Sequence, residues 1–219
     1  MNDIKDTAEK QDRRIRKTKR AIHTAFLELL EEKNFDDITI LELTERADVN
    51  RKTFYNHYSN IADVVEEIED EWTERLIKVL SDALDPFRFN EDLDIDKIHE
   101  HAADLAQPFF ETTISELHAN PVYFKLLENT AGYSNLINKI VKKEKDLLVN
   151  ILRLNITGEN MVWMEYFLLF VTNGTMAIID EWHKKDYPVT SDDMARFCKI
   201  LFASEGVYEF IKAMSGAEQ

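Results

Sequence analysis

Apolar residues along the chain fall at helical rather than strand spacing. Ile22, Ala25, Phe26, Leu29 and Leu30 recur at i, i+3, i+4, i+7 and i+8, the stripe of an amphipathic helix. With Thr18 as N-cap, the pattern predicts this helix from there to about Lys33. A second start stands at Thr39-Ile40-Leu41-Glu42, a capping box in which the Thr hydroxyl and the Glu carboxylate each satisfy a free N–H. Ile40, Leu43, Thr44 and Ala47 then line one face of a helix of about two turns. Asp48-Val49-Asn50 reads as a tight turn, because Asp and Asn tolerate left-handed and cap conformations, and Asn50 is placed to cap a third helix from Arg51 to Tyr58. Three short helices, the last two joined by so brief a turn, have the layout of a helix-turn-helix DNA reader.

The pattern continues as longer helices. One spans Ala62 to Leu84 and stops before Pro86, and Asp85 to Asp94 reads as a polar, acidic loop. Ile95 to His118 is helical with Pro108 inside it, and the missing N–H should kink or split that helix. Pro121 opens a short helix through Asn129, at a first-turn position that accepts proline. Tyr133 to Leu154 is amphipathic. Between Met161 and Trp182, 15 of 22 residues are apolar, so this helix must be covered on every side. Ser191 to Ala213 closes the chain with Met194, Phe197, Cys198, Leu201, Tyr208 and Ile211. The expected fold is all-α: a helix-turn-helix domain with a basic amino-terminal arm over residues 1–60, and a helical-bundle body for ligand binding and dimerisation over 61–219.

Composition agrees with long helices. Five Gly and four Pro in 219 residues compare with about 12% in average usage, too few for an all-β sandwich or a Gly-rich nucleotide fold. One cysteine excludes a disulfide framework and a Cys-based zinc site. The longest apolar stretch, Met161 to Val171, is interrupted by Glu165, so no transmembrane span is expected. The polar start carries no apolar signal region, and the cytoplasm is the expected compartment.

Charge becomes informative once divided. The net value is −15, yet residues 1–60 hold 12 Lys+Arg against 12 Asp+Glu, so the excess acid follows residue 60. Arg13, Arg14, Arg16, Lys17, Lys19 and Arg20 form a run free of acids, as in a chain that meets a polyanion with one end. Arg16 and Lys17 are expected on phosphates. In the third helix Phe54 and Tyr58 stand four apart and can pack inward, leaving Arg51, Lys52, Tyr55 and Asn56 toward a groove. Arg bonds bidentately to guanine and Asn to adenine. Lys52, Thr53, Tyr55 and His57 suit phosphate oxygens, which set register.

The run from Thr39 to Tyr58, with Thr53-Phe54-Tyr55-Asn56-His57-Tyr58 in its recognition helix and Phe35 ahead of the second helix, resembles the helix-turn-helix of the TetR/AcrR family of bacterial transcriptional regulators. The likeness covers residues 14 to about 70. It implies DNA contacts at Thr39, Arg51, Lys52, Thr53, Tyr55, Asn56 and His57, a two-fold homodimer and a helical body that senses a small molecule. The function implied is a ligand-responsive regulator, a repressor on a palindromic operator. The sequence departs from the family at Asp48, where glycine is usual, at Leu41 and Glu42, where a basic residue is frequent, and at Ile61, where a lysine commonly meets phosphate. Leu41, Glu42 and Ile61, together with the net charge, keep open an alternative, a protein-interaction or coactivator module without specific DNA binding of its own.

For the body, Phe109, Phe110, Tyr123, Phe124, Tyr133, Trp163 and Phe167 offer aromatic walls, and His101, Tyr166 and Asn173 the few polar contacts that orient a ligand. The acidic body favours a neutral or cationic effector. Met161–Trp182 and Ser191–Ala213 are expected to pair with their symmetry mates as a four-helix bundle. His99 and His101, two apart on a helix, do not face one another, so no metal is expected. Cys198 lies on an apolar stripe as a core residue. No catalytic motif and no cofactor fingerprint is present.

Overall fold

The computed structural model describes residues 2–85, 95–121, 135–151 and 159–215. The loop expected over Asp85–Asp94 lies almost wholly outside them, as do the short helix after Pro121 and the side chains of His101, Tyr123, Phe124 and Tyr133. Every extended element described is helical: α1 Asn2–Glu32, α2 Ile40–Arg46, α3 Arg51–Tyr55, α4 Ile61–Leu84, α5 Ile95–Ala119, α6 Leu136–Ile151, α7 Glu159–Lys184, α8 Ser191–Phe202 and α9 Glu205–Ser215.

Two compact units emerge from the packing. The first runs to Glu69 and takes in Asn135, so it reaches beyond the division expected at residue 60. The reason is the start of α4, whose Val64, Val65 and Ile68 are buried. The rest of this core is the predicted stripe of α1, Ile22, Ala25, Phe26, Leu29 and Leu30, with Phe35, Ile38, Leu43, Phe54 and Tyr58. Phe35 opens a single 3₁₀ turn between α1 and α2 and meets Phe26 edge-on, with ring centroids 6.3 Å apart.

In the second unit α5 buries Ala106, Phe110, Ile114 and Leu117, and Phe110 meets Phe202 of α8 at 5.9 Å. Val141 of α6 packs with Met164 and Leu168 of α7, flanked by Ile137, Leu148 and Phe167. Cys198 is buried in α8, and burial pushes its thiol up to about 11, which suits a core residue. At the end of α7, Asp186 and Tyr187 both adopt left-handed backbone, at φ 58° and 55°. There the Tyr187 N–H reaches the Trp182 carbonyl at 3.0 Å, and its ring packs on Trp182 and His118.

Several boundaries differ from expectation. Helix α1 begins at Asn2, not Thr18, so the basic run is helical. Pro108 lies inside α5 without splitting it; lost packing would cost more than the one backbone bond a proline removes. The last segment breaks at Ala203–Ser204 into α8 and α9. Over Met161–Lys184, α7 is long and apolar enough to cross a membrane, at a mean hydropathy of 1.4. Its Glu165 pairs with Lys145 of α6 and its Thr172 bonds to Glu144 of α6, while Asp180 pairs with Lys184 one turn on within α7.

Candidate nucleic-acid interface

The first unit presents the predicted helix-turn-helix, built by its caps. The Glu42 N–H donates to Thr39 Oγ1 at 3.2 Å and the Thr39 N–H to Glu42 Oε2 at 3.1 Å, completing the capping box. Lys33 Nζ donates to the other Glu42 oxygen at 2.6 Å. The Lys33 bond first, then the two from Thr39, hold the Glu42 carboxyl down to about 2. Glu42 is therefore the structural carboxylate of the cap. The Thr39 hydroxyl also donates to Glu42 at 2.8 Å, so it would have to turn from that bond to give its proton to a phosphate.

The turn is made by Asp48 at φ 53°, the left-handed conformation that glycine usually supplies and that Asp tolerates. Asn50 Oδ1 then accepts from the Thr53 N–H at 2.8 Å and the Thr53 hydroxyl at 3.0 Å, starting α3. The helix ends at Tyr55, short of the expected Tyr58, and Asn56–His57–Tyr58 turn through Phe54, whose carbonyl takes both the His57 and the Tyr58 N–H at 2.9 Å.

Phe54 and Tyr58 face inward with rings 5.6 Å apart, while Arg51, Lys52, Tyr55 and Asn56 are exposed and Thr53 and His57 half-buried. Arg51 lies over the Tyr55 ring at 6.0 Å, so its guanidinium is held out on the outer face of α3. An exposed guanidinium on this face suits base reading.

On α1, Arg13, Lys17 and Arg20 lie along one exposed face. That face runs into a groove of about 360 Å3 lined by Lys17, Arg20, Thr24, Glu28 and Arg46. Arg46 is committed elsewhere, its two guanidinium nitrogens on Glu32 at 2.9 Å each. Arg16 pairs with Asp12 at 3.0 Å, both largely in solvent, a contact that counts for little. The run of six bases is not uniform, since Lys19 turns inward to Glu67 at 2.6 Å. Sequence reasoning missed that pair, although Lys19 and His23 stand one turn apart on the buried side of α1.

The ligand candidates are scattered. Phe110 is buried and meets Phe109 at 5.4 Å, with Phe109 and Phe167 half-buried. Trp163 is 54% exposed and Tyr166 59%, with rings 6.0 Å apart, and Asn173 is exposed with its amide on the Leu169 carbonyl at 2.8 Å. These last three share an outward face of α7 with Phe170, which is 77% exposed.

A capped pair of short helices around a left-handed turn, backed by a buried aromatic and fronted by Arg, Lys and Asn, defines a helix-turn-helix protein. Residues 22–68 match the family described as bacterial regulatory proteins, tetR family. Over 84 residues it is 36% identical to the uncharacterized HTH-type transcriptional regulator YxbF of Bacillus subtilis (strain 168), a match that covers 37% of this chain and 22% of that protein. The chain therefore spans about a fifth of the length of that relative. Its fold is that of the TetR family repressor AlkX from Dietzia sp. strain DQ12-45-1b, implicated in biodegradation of n-alkanes, at a TM-score of 0.53 and 13% identity over 87% of this chain and 95% of that one. A TetR transcriptional regulator from Streptococcus agalactiae 2603V aligns at a TM-score of 0.48 and 20% identity, over 89% and 98% of the two chains.

Proposed function

We propose that the chain is a DNA-binding transcriptional regulator, a repressor that binds a palindromic operator as a homodimer in the bacterial cytoplasm and is released by a small-molecule effector. The outer face of α3 carries the reading: Arg51 and Asn56 read bases, while Lys52, Thr53, Tyr55, His57, Thr39, Arg16 and Lys17 meet the backbone. What supports it is that Arg51, Lys52, Thr53 and Tyr55 stand on one short helix, with Asn56 as its C-cap, whose capping by Asn50 and buried Phe54 fix its position.

What supports the dimer is the outward face of α7, where Val162, Trp163, Tyr166 and Phe170 are exposed, with Phe197, Ile200 and Leu201 on α8. An apolar surface of this kind needs cover, and a two-fold axis offers it a copy of itself. Trp163, Tyr166 and Asn173 belong to this face in our reading, which leaves Phe109, Phe110 and Phe167 of the second unit for the effector. The effector shifts the population toward a spacing of the two reading helices that no longer fits successive major grooves.

The test is selection of bound duplexes from a random pool, followed by affinity measurements on the consensus and its mismatches. Arg51→Ala and Asn56→Ala are expected to lose about 1 to 3 kcal/mol on the consensus and to relax discrimination at one base pair each. A pool that yields no consensus, or equal losses on every duplex for both variants, would return the chain to the protein-interaction reading.

A further inference from the structure

Four side chains from α1, α4 and the end of the recognition segment meet in the first unit. The Tyr58 hydroxyl donates to Glu67 Oε2 at 2.5 Å, and Lys19 Nζ donates to Glu67 Oε1 at 2.6 Å. His23 Nε2 lies 2.9 Å from the same Tyr58 oxygen and 3.6 Å from Glu67 Oε2. Because the Tyr58 proton is given to Glu67, its lone pair is left to accept, which places a proton on His23 Nε2. Lys19 also stands over the Tyr58 ring at 5.5 Å. Tyr58 and His23 are buried. Burial of Glu67 raises its carboxyl, but Lys19 and the Tyr58 hydroxyl outweigh that and hold it below the ordinary carboxylate range. An ionised carboxylate on α4 thus takes one short bond from α1 and another from the residue that ends the recognition segment.

We infer that Glu67 is a positioning residue for DNA binding: it tethers the recognition segment to α4 through Tyr58, and it withholds the charge of Lys19 from DNA. The inference rests on the DNA-binding reading above. Its consequence is a coupled exchange. A shift of α4 that draws Glu67 away loosens the segment carrying Asn56 and His57, and in the same step frees a lysine beside Arg20. Sequence discrimination falls while sequence-independent attraction rises, so the chain passes from specific to non-specific binding instead of simply leaving the polyanion. A moving α4 can do this because Glu67 lies within the second turn of a helix that continues unbroken to Leu84.

The test uses the full chain, a selected consensus duplex and a scrambled duplex, with affinities measured over a range of salt. Glu67→Gln keeps the size and an acceptor for Tyr58 but cannot hold Lys19 by charge. It is expected to steepen the slope of log affinity against log salt by about 0.9 on both duplexes, one added phosphate contact. Tyr58→Phe keeps the ring and the Lys19–Glu67 pair. It is expected to leave the slope unchanged and to lower the ratio of consensus to scrambled affinity about fivefold to tenfold. Thermal unfolding of both variants separates this from lost packing, since a merely structural network lowers stability without moving the slope. Unchanged slope in Glu67→Gln overturns the withholding of Lys19, and an unchanged affinity ratio in Tyr58→Phe overturns the tether. If the wild-type chain prefers no duplex, the DNA-binding reading itself falls, an outcome told apart by the wild-type curves alone.

Discussion

Glu144 is the least comfortable group in the second unit, and replacing it by Gln should stabilise the protein above neutral pH. The side chain is buried on α6 beside Val141, and its one hydrogen-bond partner among the described residues is the Thr172 hydroxyl, at 3.1 Å. Burial raises its carboxyl from an ordinary 4.5 to about 7, with Thr172 pulling weakly the other way. A carboxyl raised on folding means that the folded chain holds more protons than the unfolded one between those two values. Stability from this group is therefore full below about 4.5, declines as pH rises toward 7 and stays low above it. At about 1.4 kcal/mol for each tenfold change in proton affinity, the ionised group costs roughly 3 kcal/mol at pH 8. Glu144→Gln keeps the shape and a partner for Thr172, and carries no charge to bury. Urea unfolding of both proteins at pH 5, 6, 7 and 8, at one protein concentration because a dimer makes stability concentration-dependent, should show the variant ahead by about 2 to 3 kcal/mol at pH 8. The gap should close toward pH 5. A gap that does not change with pH, or a wild type more stable at pH 8, would refute the reasoning.

Phe170→Glu, at the most exposed apolar side chain of α7, should convert a dimer into a monomer of 25.7 kDa by sedimentation, while the circular dichroism stays helical. A monomeric wild type at micromolar concentration would remove the dimer altogether. Thr39→Ala removes the acceptor of the α2 cap and should cost about 1 kcal/mol in urea unfolding. No loss would mean that the capping box contributes nothing measurable.

How legible each element was depends on whether it buries an apolar face. The start of α2 and the turn into α3 could be read because Thr39, Glu42, Asp48 and Asn50 act through bonds three residues long, which sequence spacing displays directly. The first half of α1 could not, since residues before Thr18 make no apolar stripe. What is visible there is charge at helical spacing, as in Asp12–Arg16, and periodicity of hydrophobicity does not register it. The break at Ala203–Ser204 contains neither Gly nor Pro, and its one local signal is Ser204, a residue type that favours helix starts. On α7 the difficulty was the reverse. A helix apolar on most sides gives no sequence signal for which side faces its own unit, and Trp163, Tyr166 and Asn173 turned out on the open one.

The charges of the first unit show why net charge was a poor guide to its partner. Its acids hold its own helices together: Glu42 takes Lys33, Glu28 and Glu32 take Arg46, and Glu67 takes Lys19. Each of these pairs joins elements at least nine residues apart, so no local window of sequence reveals it. The bases left without an ion-pair partner among the described residues include Arg13, Arg14, Lys17, Arg20, Arg51 and Lys52, all exposed. Residues 1–60, with as many acids as bases, therefore still offer a positive edge, because acids that would cancel it are spent inward. Attraction between exposed charges fades within a Debye length of about 8 Å at physiological salt. In the proposed complex, the excess negative charge after residue 60 would thus weaken long-range approach to DNA far more than contact made by Arg51 and Lys52 in the groove.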